Sequence, residues 1–193
     1  MTDWPTLTRA MHACTLCQDL PLGPKPVFQL TDTVQILIAG QAPGRIAHIK
    51  GRPFDDPSGD RLRGWLGVGR HQFYQDPRVG IFPMGLCFPG SAKSGDAPPR
   101  KICATTWRRP VLDRLGDVQL TLILGAYAIA WHVPSLRGAT VTDAVRHSAD
   151  GRDGTFILPH PSPRNNRWFK RNPWFEATVV PRLQDRVRAI LQP

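Results

Sequence analysis

Gln35-Ile36-Leu37-Ile38-Ala39-Gly40-Gln41-Ala42-Pro43-Gly44 is the stretch on which the reading of this chain turns. Its first half is a short apolar run with the length and β-branched content of a strand buried on both faces. Its second half is a turn whose two glycines allow tight turning and close approach of backbone to a ligand. Three more apolar runs follow, Val79-Gly80-Ile81-Phe82, Leu120-Thr121-Leu122-Ile123-Leu124 and Thr155-Phe156-Ile157-Leu158. Helical candidates lie among them at Asp60–Leu66, Cys103–Leu115, Ala126–His132 and Glu176–Leu191. The last region places Val179, Leu183, Val187 and Leu191 at four-residue steps, with arginines on the opposite face. This alternation predicts an α/β fold, a parallel sheet covered by helices on both faces. Ligands in such folds bind beyond the carboxyl ends of the strands. Gly40–Gly44, Pro83-Met84-Gly85, Gly125-Ala126-Tyr127 and Pro159–Ser162 are therefore expected to converge on one edge of the sheet.

The 193 residues fit one domain, 1–193, with no internal repeat and no low-complexity linker. At 41% hydrophobic the chain can bury a core. No run approaches the roughly 18 apolar residues needed to cross a membrane. Met1 to Asp19 is polar and interrupted by Pro5, without the apolar centre of a secretory signal. A soluble, cytoplasmic monomer is expected. The net charge of +10 points to a polyanionic partner, most often nucleic acid, with an arginine-rich background as the plainer alternative. The 20 prolines gather near 21–26, 43–57, 83–110 and 159–173, where stiff irregular connections are therefore expected.

The most specific chemical segment is Leu158-Pro159-His160-Pro161-Ser162-Pro163-Arg164-Asn165. A histidine locked between prolines at a strand end has a backbone fixed by its neighbours, and a neutral imidazole so held can donate to a developing oxyanion. The plainer reading is a loop histidine. Gly51-Arg52-Pro53-Phe54-Asp55-Asp56-Pro57-Ser58-Gly59-Asp60 offers an aromatic face to a planar base and carboxylates that could orient water. Core packing for Phe54, and turn formation or helix capping for Asp55, Asp56 and Asp60, are the structural alternatives.

GQAPG after the first run and HPSPRN after the last together resemble the uracil-DNA glycosylase superfamily. The resemblance runs from Cys14 to about Phe175, with the motifs in family order. It implies a three-layer α/β/α sandwich around a four-stranded parallel sheet. GQAPG and GRPFDDPSGD are similar to the iron–sulfur branches, families four and five, while HPSPRN is similar to the single-strand-selective branch. Carried over, Phe54 would stack on a flipped base and His160 would bind uracil O2. The backbone of Gln41 and Ala42 would border the base. Asp56, with Asp55 as rival, would position water or stabilise the sugar cation. The implied activity is removal of a deaminated base, uracil or also hypoxanthine or xanthine, to leave an abasic site.

Departures accompany the resemblance. Ala42 stands where family one has an aspartate, and Gly44 where it has a tyrosine that excludes thymine. Pro83 falls where family four has the asparagine that reads the uracil edge, which puts uracil specificity in doubt. Cys14-Thr15-Leu16-Cys17 with Cys87 and Cys103 favours metal or redox chemistry over disulfides in a cytosolic setting. The resemblance implies a [4Fe–4S] cluster on these four, favoured over zinc or free thiols. It also implies that the loop carrying Ser162, Arg164, Asn165, Arg167 and Trp168 enters the DNA minor groove, with Trp174 and Phe175 assigned to the core. The proline- and glycine-rich loop from Phe88 to Ile102 is a further candidate for DNA contact. His48 is the candidate for a covalent trap on the sugar, in a pattern that does not match. Two other readings stay open: a nucleic-acid-binding protein of this fold with a cluster but weak or no catalysis, and a redox sensor centred on the cysteines.

Overall fold

The computed structural model describes residues 3–93 and 95–192. Its centre is a four-stranded parallel sheet in the order β2-β1-β5-β6, built from β1 (Ile36–Ala39), β2 (Val79–Ile81), β5 (Leu120–Leu124) and β6 (Thr155–Leu158). The register pairs Ile36 with Val79 on one side and with Leu120 on the other, and Leu124 with Leu158. These are the four apolar runs, and they are apolar because both sheet faces are covered. Ile36 and Ile38 pack with Leu62, Trp65, Phe175 and Leu183 in one layer, whereas Leu37 packs with Leu7, Met11, Phe82 and Val111 in the other.

The helices are α1 (Trp4–His12), α2 (Arg45–Lys50), α3 (Pro57–Leu66), α4 (Arg70–Gln75), α5 (Lys101–Leu112), α6 (Ala126–His132), α7 (Val141–His147), α8 (Asn166–Arg171) and α9 (Val180–Leu191). A short antiparallel hairpin joins β3 (Ser91–Ala92) to β4 (Gly95–Asp96) within the loop between Cys87 and Cys103. Three sequence-derived boundaries move. The helix expected at Asp60 starts at Pro57, because Asp56 caps it and proline is tolerated in the first turn. The helix expected at Cys103–Leu115 spans Lys101–Leu112 and keeps Pro110 inside it. The region expected as one helix from Glu176 opens with a π-helical turn, Phe175–Val179, before α9.

Candidate active site

The ladder between β1 and β2 runs past the strand ends. Phe82 N donates to Ile38 O at 2.9 Å, Met84 N to Gly40 O at 2.8 Å and Gly85 N to Gln41 O at 2.9 Å. The turn after β1 is thereby fastened to the segment that contains Pro83. A cleft of about 600 Å³ opens at this edge, lined by Gln41, Ala42, Phe54, Asp56, Pro83 and His160, with Ser162, Arg164 and Asn165 also contributing. Its size suits a small planar ligand and the chain attached to it. Residues following β1, β2 and β6 meet here as the topology predicts. Gly125-Ala126-Tyr127 do not line the cleft: Gly125, at φ 83°, turns the chain directly into α6.

Phe54 is the non-glycine residue with a left-handed backbone among those described, at φ 55°. Its carbonyl oxygen is held by Tyr74 Oη at 2.9 Å and by Arg63 Nη1 at 3.3 Å. A Cβ on Gly59 would stand 1.7 Å from that oxygen, so only glycine fits there. The Ser-Gly of the GRPFDDPSGD segment thus leaves room for the Phe54 backbone. The ring rests against Gly40, and its centroid is 6.4 Å from that of His160.

The two adjacent aspartates point in different directions. Asp56 Oδ1 accepts from Gly59 N at 3.0 Å and caps α3, while Oδ2 faces Gly44 across the cleft. Asp55 does not line the cleft. It pairs with Arg70 at 2.8 Å and Lys50 at 3.6 Å, and the hydrogen bond from Arg70 holds its carboxyl below the usual carboxylate range.

His160 Nδ1 accepts from Ser162 N at 3.3 Å, which leaves the ring proton on Nε2. Burial pushes its pKa down, against the opposing pull of Asp56 and Asp96, so the imidazole is neutral near pH 7. Its carbonyl accepts from Asn165 Nδ2 at 2.7 Å. Arg61 pins the same loop by donating to Pro161 O, Ser162 O and, at 2.8 Å, Asn166 Oδ1. Arg164 lies in the cleft wall, whereas Arg167 is exposed on α8 and does not line it. Trp168 faces inward: Nε1 donates to Thr142 Oγ1 at 2.9 Å, and its ring packs edge-on against Phe169, Trp174 and Phe175. His48 is 3% exposed and accepts from Phe88 N through Nδ1, which separates it from the cleft.

Cys14, Cys17, Cys87 and Cys103 line one separate pocket. Cys103 Sγ accepts from Leu86 N at 3.3 Å. Burial pushes the Cys87 thiol up to about 11 and Cys103 up to about 12, so as free thiols both are protonated and poor nucleophiles. Among the described residues no three His, Cys, Asp or Glu side chains are grouped to hold a metal ion. A single zinc needs all its sulfurs within about 2.3 Å of one point. A four-iron cluster takes one thiolate per iron and spreads its ligands around a larger body, so four sulfurs lining one pocket fit that donor set.

Sequence reasoning missed several residues that build this site. Arg61 reaches about 100 residues along the chain to the HPSPRN loop, Arg63 and Tyr74 reach back to the Phe54 carbonyl, and none of the three carries a motif. Arg108, 1% exposed, donates to Phe82 O at 3.0 Å and Pro83 O at 3.3 Å and hydrogen-bonds His132, so it braces the cleft wall from behind. No carboxylate among the described residues pairs with it, and burial lowers it to about 10. Asp96 also lines the cleft; its loop stands out in the sequence only as a candidate DNA contact, and nothing there marks this carboxylate.

A solution structure of a candidate uracil DNA glycosylase from Methanosarcina acetivorans shares this fold, with a TM-score of 0.50 and 19% identity over 82% of this chain and 94% of that one. The family model for the Uracil DNA glycosylase superfamily matches residues 28–184, a span that runs from the approach to β1 through the cleft-lining loops and into α9. The chain belongs to the uracil DNA glycosylase superfamily.

Proposed function

We propose that the protein is a DNA repair glycosylase that flips a deaminated base into the cleft and hydrolyses its N-glycosidic bond, leaving an abasic site. The observation that carries this reading is His160: a neutral imidazole with its proton on Nε2, fixed at Nδ1 by Ser162 N–H and held in the same cleft as Phe54 and Asp56. The bond breaks towards a cation-like sugar and a departing base anion, so the site needs a donor for one and a carboxylate for the other. His160 Nε2–H suits the oxygen of the base, and Asp56 Oδ2 suits the sugar. Phe54 supplies the stacking face. Uracil is the first substrate to test. Pro83 offers neither an amide side chain nor a backbone N–H to read a base edge, and Gly44 leaves room beside it, so hypoxanthine and xanthine belong in the same panel. Unstacking costs least for damaged or mismatched bases.

The cysteine pocket would hold a [4Fe–4S] cluster on Cys14, Cys17, Cys87 and Cys103, favoured over zinc by the softness of four thiolates. When bound, such a cluster would tie the N-terminal segment to the loop leading into α5; the chemistry of base release runs through the cleft residues alone. Arg164 and Asn165 are the candidate DNA contacts, and phosphate neutralisation there makes binding strongly salt-dependent.

The test is a single-turnover base-release panel on single- and double-stranded oligonucleotides containing uracil, hypoxanthine or xanthine, with His160→Ala beside wild type. Abasic product from wild type, with a rate lower by about 100-fold or more in His160→Ala and DNA affinity retained, supports the reading. DNA binding without any base release supports instead a nucleic-acid-binding protein of this fold, the reading that Ala42 and Pro83 favour.

A further inference from the structure

One carboxylate in the cleft is marked by no motif. Asp96 ends β4, on the hairpin that projects from the loop between Cys87 and Cys103. Its Oδ2 stands 3.5 Å from the point a Cβ on Gly44 would occupy, and Asp56 Oδ2 stands 3.9 Å from the same point. Two carboxylates from two separate loops therefore face each other over Gly44, where the absence of a side chain leaves the space open.

The two are not equivalent. Asp56 has one oxygen committed to the cap of α3. None of the hydrogen bonds or ion pairs described accepts at the carboxylate of Asp96, which is exposed to the solvent that must supply the attacking water.

The hairpin also lies against both cleft loops. Gly95, at φ 144°, lies so close to Arg164 that a Cβ there would meet Nη1 at 2.5 Å. Ala97 N donates to Gly90 O at 2.8 Å, and Ala97 O accepts from Gln41 Nε2 at 3.3 Å. Asp96 thus lies between a residue of the HPSPRN loop and one of the GQAPG turn, beside the open space over Gly44.

We propose that Asp96 is a catalytic residue of base release, binding the attacking water and accepting its proton. The proposal rests on the glycosylase reading and deepens it. The C1′–N bond breaks with its electron pair leaving on the base, whose oxygen takes a hydrogen bond from His160 Nε2–H. Water oxygen donates a lone pair to C1′, and the water proton passes to the Asp96 carboxylate and then to solvent. The departing base anion takes up a proton from solvent. Asp56 faces the positive charge on the sugar.

The test is Asp96→Asn in single-turnover uracil release, with affinity for an abasic-site oligonucleotide and a pH–rate profile measured alongside. The charged groups around Asp96 in the cleft are Asp56, His160, Arg45 and Arg164, so the profile is recorded for Asp56→Asn and His160→Ala as well. The expected result is a rate lower by about 100-fold with unchanged product affinity, a shallower acid limb, and partial rescue in Asp96→Glu. Wild-type rate in Asp96→Asn, while His160→Ala is impaired, overturns the role of Asp96 and leaves the glycosylase reading standing. No base release from the wild type overturns both.

Discussion

The hydroxyl of Tyr74 lies 2.9 Å from the carbonyl oxygen of Phe54 and holds that residue in a left-handed conformation that phenylalanine seldom adopts. Such a conformation costs of order 1–3 kcal/mol and persists only where neighbours over-determine it. Arg63 Nη1 adds a second donor, and Gly59 removes the side chain that would collide. The base-stacking candidate is therefore positioned by residues that do not themselves face a base.

Tyr74→Phe removes one of the two donors to Phe54 and leaves Arg63. The expected outcome is uracil release slower by about 5–10-fold, the equivalent of one neutral hydrogen bond, with DNA affinity unchanged. Gly59→Ala drives a methyl group into the Phe54 carbonyl, and base release is expected to fall by more than about 100-fold. A circular dichroism melt separates lost folding from a displaced Phe54. If both variants bind and release base like wild type, Phe54 is not the stacking residue.

Asp55 and Asp56 are adjacent in sequence and separate in role. Asp55→Asn weakens the pairs with Arg70 and Lys50 on the far side of the loop. Base release from it is expected to stay within about threefold of wild type, since these pairs, with half-exposed cations, lie outside the cleft and ion pairs open to solvent contribute little. Asp56→Ala loses both the cap of α3 and the carboxylate proposed to face the sugar, and is expected to lose activity and thermal stability together. Asp56→Asn keeps a capping oxygen, so it isolates the charge. Loss of activity in Asp55→Asn with retention in Asp56→Asn reverses the assignment.

The cysteine pocket gives a prediction independent of activity. Protein purified without oxygen should be brown, with broad absorbance in the visible region, and hold about four irons per chain. Cys103→Ser should abolish the colour and lower the melting temperature. Colourless wild-type protein with one equivalent of zinc, or with no metal, rules out the cluster.

The sheet was legible in the sequence because strands covered on both faces must be apolar throughout, as Ile36–Ala39 and Leu120–Leu124 are. The start of α3 was not, because Asp56-Pro57 is a cap and first helical residue as readily as it is a turn. Phe54, His160 and Gln41 could be picked out since each sits next to a strand end or in a rigid loop that also matches a family motif. Arg61, Arg63 and Tyr74 could not. The partners that matter to the cleft lie outside their own helices, and one arginine among many looks like any other in a chain this basic. Trp168, between Arg167 and Lys170, reads in the sequence as a nucleic-acid contact, whereas the turn of α8 lays its partly buried ring against the core. Asp96 sits on a strand of two residues, too short to leave any periodicity.

The pair of buried Arg108 and half-buried His132 behind Pro83 predicts how the fold responds to acid. Burial, and then the charge of Arg108, lower the pKa of His132 from 6.5 to about 3. Between those values the unfolded chain binds a proton that the folded chain refuses. The stability contribution is therefore complete above about pH 6.5 and is lost as the pH falls towards 3, at about 1.36 kcal/mol per pH unit. His132→Gln keeps an acceptor for Arg108 and removes the titration. Urea unfolding at pH 7.5 and 4.5 should show wild type losing about 2–3 kcal/mol more than this variant across that interval. His160, also lowered by burial, acts in the same direction, so the variant keeps a residual slope. Equal losses in the two proteins would mean that His132 is not held neutral beside Arg108, and that the brace behind Pro83 is built differently.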